Sequence, residues 1–452
     1  KTIKGSRLAC AFLLGTLIGQ CSLGSLPALA KEPAQIAHFG MGVSLDGPAA
    51  PWLMPHQRTL RSLNQIYEFD RTPLGDRIPV ILVPGRAEEF QHNSWWRGVH
   101  RMSDRDPSFS KHFKLFVFLY DSKEELDVQA EGLVRDIKRR FSRLPSSQPL
   151  MLVTYSLGGV IAREVLKDSD ILDQVDTQIA IAVPFHGSPL FDPDWFSEYL
   201  NPPNRSPVRR FWDRAIYRGY MFSKSNLTHG LKWDNFDRSK PQFHVSDLKK
   251  SKSEILGDAA RSRVLPYQEY ANADEIRKKT VVYASFLVNG YTKTNEPFSP
   301  LRLPRYVLDN SLAFPKQMVS TVLPFYGFTV HSVFTYMNNQ MADLPTYTPE
   351  DPQGKNTHLY RFNDGAIPMS SMLFLPPSKE PYDQDLREMV ERSSLRKARV
   401  FVNLDHLHVG EYTLLKQKLV QPDMLHPEDG KRSPNAWIIM DLLQRLDESP
   451  KG

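Results

Sequence analysis

An α/β fold, built on a mostly parallel sheet flanked by helices, is what this sequence predicts. Three observations carry the prediction. Short apolar runs alternate with segments of helical periodicity between residues 78 and 183. The runs are apolar at consecutive positions, as strands buried on both faces are, rather than at every second one. One run stops abruptly at Ser156, two glycines follow within three residues, and helix-compatible sequence resumes at once.

The elements follow in order. Residues 78–83 form a strand that ends in Pro84-Gly85, and 114–120 form a second. Ala130, Leu133, Val134, Ile137, Phe141 and Leu144 recur at helical spacing, with charges between them, until Pro145 stops the helix. Residues 150–153 are the strand that leads to Ser156, and 160–166 continue as helix. A further strand covers 178–183. Strand character returns at 280–287 and 398–404, and an amphipathic helix covers about 435–446. Strands separated by helices argue for a parallel sheet with helical layers.

Two stretches interrupt this alternation, at about 190–280 and 291–358. Twelve aromatic residues fall between Phe191 and Phe243, well above the chain average of 11%. Long insertions in a compact sheet are commonly functional. These are expected to form a cap or lid whose aromatics line an apolar pocket.

Residues 1–30 read as a secretory leader. Lys1, Lys4 and Arg7 precede an apolar stretch over 8–18, and Ala28-Leu29-Ala30 offers a small-x-small cleavage site. Residues 31–75 form a proline-rich N-terminal extension, and the main domain is expected over 76–450. Both cysteines, Cys10 and Cys21, lie in the leader. The remainder therefore offers no disulfide framework, no cysteine nucleophile and no thiolate metal site. An exported chain without disulfides suggests a bacterial periplasmic, outer-envelope or secreted protein. The leader carries three of the positive charges and no acids, which leaves +3 of the net +6. Lys138-Arg139-Arg140 and Arg209-Arg210 read as solvated helix faces and as a peripheral contact for an anionic membrane surface. No nucleic-acid motif accompanies them.

Ser156 sits in Thr154-Tyr-Ser-Leu-Gly-Gly159. A serine on a sharp strand-to-helix turn has its hydroxyl pushed above the sheet edge, and its neighbours two before and two after must be small. Gly158 satisfies this, whereas Thr154 departs from the usual glycine. A serine hydroxyl needs a base, and the base needs an orienting acid. Two later segments supply candidates. Asp364 lies in the turn Asn363-Asp-Gly365. His406 follows a strand directly, on a short loop, with His408 as its competitor. Asp405 is a poor orienting acid for His406, because adjacent side chains diverge. His186 lacks a partner at metal-ligand spacing and reads as structural.

These segments resemble the α/β-hydrolases, in particular the lipase-like branch that includes bacterial lipases and GPI-inositol-deacylase-like esterases. Leu82-Val-Pro-Gly-Arg86 resembles the family's loop after the third strand, which usually reads His-Gly, with Pro84 in place of the histidine. Ala182-Val-Pro-Phe-His-Gly-Ser-Pro189 resembles a Thr-Pro-His-x-Gly-Ser stretch. The resemblance implies Ser156 as nucleophile, His406 as base and Asp364 as its orienting acid. It also implies backbone N–H groups of Arg86 and Leu157 as an oxyanion hole. No cofactor or metal is expected, although some lipases bind calcium near the histidine loop. The implied activity is that of an exported serine carboxylic-ester hydrolase on an apolar acyl ester or lipid. Acyl transfer, thioesterase or amidase chemistry uses the same parts, and a non-catalytic binding protein on a degenerate scaffold is the reading from another class.

Overall fold

Eight strands make one sheet in the computed structural model. It describes residues 63–86, 95–122, 124–145, 148–188, 271–287, 360–376, 386–402, 404–406 and 434–448, with short pieces between them. The chain runs β1 (Gln65–Glu68), β2 (Ile78–Val83), α1 (Trp95–Ser103), α2 (Pro107–His112), β3 (Phe113–Leu119) and α3 (Leu126–Phe141). It continues through β4 (Leu150–Tyr155), α4 (Leu157–Val165), α5 (Ser169–Gln174), β5 (Val175–Ile181), α6 (Ala273–Lys279) and β6 (Thr280–Phe286). Last come α7 (Met369–Met372), α8 (Leu386–Arg392), β7 (Lys397–Val402), β8 (Asp423–Met424) and α9 (Pro434–Glu448).

The strand order is β1-β3-β2-β4-β5-β6-β7-β8. The six strands from β3 to β7 are parallel, and β1 and β8 close the two edges antiparallel. This is the α/β-hydrolase fold that the sequence predicts, and each of the six predicted strands is present. β2 and β4 carry runs of wholly apolar residues because both faces are covered: Val80, Ile81, Leu82, Val83, Leu152 and Val153 are fully buried. Burying each such side chain contributes about 1.5–3 kcal/mol before entropy is counted.

The edge strand β1 is not anticipated from sequence. Four residues within a proline-rich stretch are too few for a period to show. Its place is fixed by tertiary contacts instead. Gln65 pairs with Leu119, the Ile66 N–H donates to Asp136 Oδ2 on α3 at 2.7 Å, and a side chain on Gly132 of α3 would strike Asn64.

Helix α9 packs on α1 and is bolted to the sheet. Trp437, Ile438, Ile439 and Leu442 are its buried face. Asp441, on the same helix, receives Lys397 Nζ at 2.8 Å and a two-pronged Arg399 at 2.7 and 2.8 Å from β7. The Tyr283 hydroxyl of β6 also donates to it. Burial pushes the Asp441 carboxyl up, but hydrogen bonds from Arg399, Lys397 and Tyr283 outweigh that and hold it below the usual carboxylate range. Burial pushes Tyr283 well above the ordinary phenol range, with the adjacent Asp441 charge adding to it. Asp176 of β5 and Arg445 form a second pair at 2.6 and 2.7 Å.

The leader, most of the extension and nearly all of the two insertions lie outside the described residues. The expected cap and its aromatic pocket therefore lie outside them too. No helix among the described residues is long and apolar enough to cross a membrane.

Candidate active site

Strand β4 delivers Ser156 to the carboxyl edge of the sheet. The residue has φ 50° and ψ −121°, a conformation unusual for any residue but glycine. Its surroundings hold it there. The Ser156 N–H donates to Ile181 O at 2.9 Å, and the Gly159 N–H donates to Ser156 O at 3.0 Å. The small residues have a visible reason. A Cβ on Gly158 would lie 2.3 Å from the carbonyl oxygens of both Val83 and Pro84, and one on Gly159 would lie 2.1 Å from Val183. Thr154 is accommodated despite its branched carbon. It is fully buried, and its hydroxyl reaches Ile179 O at 3.3 Å on the neighbouring strand.

The acid is shaped by its own turn. Asp364 is fully buried, and its Oδ1 accepts the N–H groups of Ala366 at 2.9 Å and Ile367 at 2.7 Å. Asn363 braces the turn by accepting from the Gly365 N–H and donating to the carbonyls of Tyr360 and Asn338. Gly365 has φ +88°, and a Cβ there would lie 2.4 Å from Phe334 O. Only glycine fits that position.

His406 meets both. Its Nδ1 lies 2.8 Å from Asp364 Oδ2, and its Nε2 lies 2.9 Å from Ser156 Oγ. The main chain repeats the tie, since the His406 N–H donates to Asp364 O at 3.1 Å. A carboxylate can only accept, so Nδ1 carries the proton and Nε2 is left to accept from the serine hydroxyl. His406 is 8% exposed and Ser156 is partly exposed, so the dyad is sheltered yet open on the serine side.

The loop after β2 lies against the serine. A Cβ on Gly85 would sit 3.3 Å from Ser156 Cβ, so the loop leading into Arg86 packs against the serine. The Tyr120 hydroxyl donates to Pro84 O at 2.7 Å and fixes this loop. Leu157 opens α4, where the first backbone N–H groups have no partner within the helix.

His186 is structural, as the sequence predicts, but the serines that brace it are not anticipated. His186 is buried, with Nε2 2.8 Å from Leu375 O, and its N–H donates to Ser371 Oγ. Ser371 in turn donates to Gly187 O, and Ser188 donates to Ala366 O. The loop after β5 is thereby tied to the acid turn. These serines carry no pattern signal, because a hydroxyl bonded to a distant carbonyl leaves no trace in local spacing. His408 lies outside the described residues. Among the described residues, no three histidine, aspartate or glutamate side chains gather as a metal site would need.

No family model matches the chain, and no curated protein does. Solved structures similar to it include the Bacillus licheniformis lipase BlEst2 in its mature form, at 13% identity and TM-score 0.36, covering 79% of this chain and 97% of that one. EstA from Clostridium botulinum is similar at 11% identity and TM-score 0.36, covering 82% and 87%. Lipase 1 from Pelosinus fermentans is similar at 11% identity and TM-score 0.36, covering 82% and 98%. Likeness this distant carries no argument about chemistry, which rests on the geometry above.

Proposed function

We propose that this protein is a serine carboxylic-ester hydrolase of the lipase and esterase type, working through an acyl-enzyme. The observation that carries the reading is the unbroken line Asp364 Oδ2 to His406 Nδ1, and His406 Nε2 to Ser156 Oγ, at 2.8 and 2.9 Å.

Each step follows from that line. His406 Nε2 takes the hydroxyl proton as Ser156 Oγ attacks the ester carbonyl. The carbonyl oxygen gains charge, and the N–H groups of Leu157 and Arg86 are the donors proposed to receive it. Such donors act on charge that exists only in the transition state, and removing one typically lowers turnover by about 10²–10³. The imidazolium then gives its proton to the leaving alcohol oxygen, and the ester C–O bond breaks. A water, deprotonated by His406, releases the acid and restores Ser156. Asp364 holds the tautomer and stabilises the imidazolium throughout.

The reading extends to the substrate and the compartment. The aromatic-rich stretch from Phe191 to Phe243 supports an apolar acyl group, and the leader-like residues 1–30 support export. Hydrolysis of p-nitrophenyl esters of graded chain length tests both the activity and the acyl preference. Wild-type turnover that rises with chain length, and falls about 10⁴-fold in Asp364→Asn, is expected. Folded protein with no turnover on any ester points instead to a binding protein on this scaffold. Equal rates for short and long chains remove the apolar-pocket part alone.

A further inference from the structure

Tyr155, the residue before the serine, is fully used by its surroundings. It is 2% exposed. Its hydroxyl donates to the main-chain carbonyl of His406 at 2.6 Å. Its ring stacks on the imidazole, with centroids 5.5 Å apart and planes at 23°. The other end of its reach is the loop after β2. A Cβ on Gly85 would stand 2.7 Å from Tyr155 Cδ1, so the ring occupies the space that a side chain at 85 would need. Trp95 of α1 packs on the ring at 6.1 Å. One side chain thus touches the histidine ring, the histidine backbone and the loop that carries Arg86, while being bonded to Ser156 itself.

The arrangement matters because His406 stands beyond the end of its strand, outside the sheet's own hydrogen bonding. The strand before it ends at Val402, and His406 lies in a helical turn beyond it, in which the Val409 N–H donates to Asp405 O at 3.1 Å. The tie to Asp364 fixes one end of the ring. A ring held at one nitrogen can still rock about that bond and move Nε2 away from Oγ. Stacking blocks the rocking, and the hydroxyl fixes the backbone from which the ring hangs. Because Tyr155 ends the strand and Ser156 follows it directly in the chain, the distance between base and nucleophile is set through one peptide link.

We infer that Tyr155 is a positioning residue, which clamps His406 and the Gly85-Arg86 loop against Ser156 and so sets the base-to-nucleophile distance. The inference rests on the hydrolase reading above. It assigns Tyr155 no contact with substrate and no proton transfer.

Tyr155→Phe removes only the hydroxyl and keeps the ring. The expected result, with p-nitrophenyl esters and full-length protein, is a fall in kcat of about tenfold to a hundredfold, with KM within about threefold. Tyr155→Leu, which also loses the stack, is expected to fall further. A residue that acts through His406 has nothing to act on once His406 is gone. Tyr155→Phe added to His406→Ala is therefore expected to leave the residual rate unchanged. Unaltered kcat in Tyr155→Phe overturns the inference, and so does an equal loss in both backgrounds. A Tyr155→Phe chain that loses its far-ultraviolet circular dichroism also overturns it, because the hydroxyl then holds the fold and not the base. An inactive wild type is a separate result: it removes the hydrolase reading, and this inference falls with it.

Discussion

At the scale of single residues, Ser156, Asp364 and His406 meet although they are spread over 250 positions of chain. That meeting is legible in the sequence because each residue sits beside a local signal: a strand cut short by small residues, an Asn-Asp-Gly turn, and a histidine directly after an apolar strand. Tyr155 and Ser371 are not legible, since their partners are backbone carbonyls of distant loops. The glycines give a sharp prediction. Gly158→Ala puts a methyl group where two carbonyl oxygens stand, and it is expected to cost about 1–3 kcal/mol in denaturant unfolding. Stability equal to wild type contradicts the packing described for the elbow. Gly365→Ala is expected to lower kcat through the acid, because the turn that aims Asp364 requires φ +88° and has backbone 2.4 Å from any added carbon. Steady-state kinetics on folded protein, with kcat unchanged, is the opposing outcome.

Among whole elements, the two antiparallel edges mark what sequence reasoning misses. Strand β1 comes from its pairing with β3 and from Asp136, both remote in sequence. The central parallel strands are legible because double-sided burial writes continuous apolar runs. Helix α9 shows a different kind of determinant. Its apolar face is readable, yet its attachment depends on a buried carboxylate shared by Lys397, Arg399 and Tyr283. Asp441→Ala removes the buried carboxylate that Lys397, Arg399 and Tyr283 share and is expected to cost about 3–5 kcal/mol. Replacing Asp441 without measurable loss in thermal or denaturant unfolding contradicts that account.

The same carboxylates set a pH dependence. Asp441 and Asp176 both have folded-state pKa values below the ordinary 3.8: burial raises each, and bonded arginines and other donors outweigh it. A depressed carboxylate pKa means that the unfolded chain binds the proton first as pH falls. The stabilisation is therefore present above about pH 5 and is lost progressively as pH drops through the ordinary carboxylate range toward the lower folded values. Unfolding free energy measured from pH 7 down to pH 3 is expected to decline below about pH 5, and to decline less steeply in Asp176→Asn. A flat profile over that range is the contrary result.

For the molecule as a whole, the sheet acts as a frame that brings loops from β2, β4, β5, β6 and β7 to one edge. Sequence shows the frame well. It shows poorly what lies between β5 and β6 and after β6, because aromatic residues there follow no strand or helix period. On the proposed reading, the Ser156 hydroxyl at this edge is a nucleophile activated by His406. The most direct measurement is the site and rate of labelling by a fluorophosphonate probe, with the adduct mapped by peptide mass spectrometry. One adduct on Ser156 of the wild type, slowed by orders of magnitude in His406→Ala and absent in Ser156→Ala, is the predicted result. No adduct in folded protein, or one placed on another residue, contradicts it.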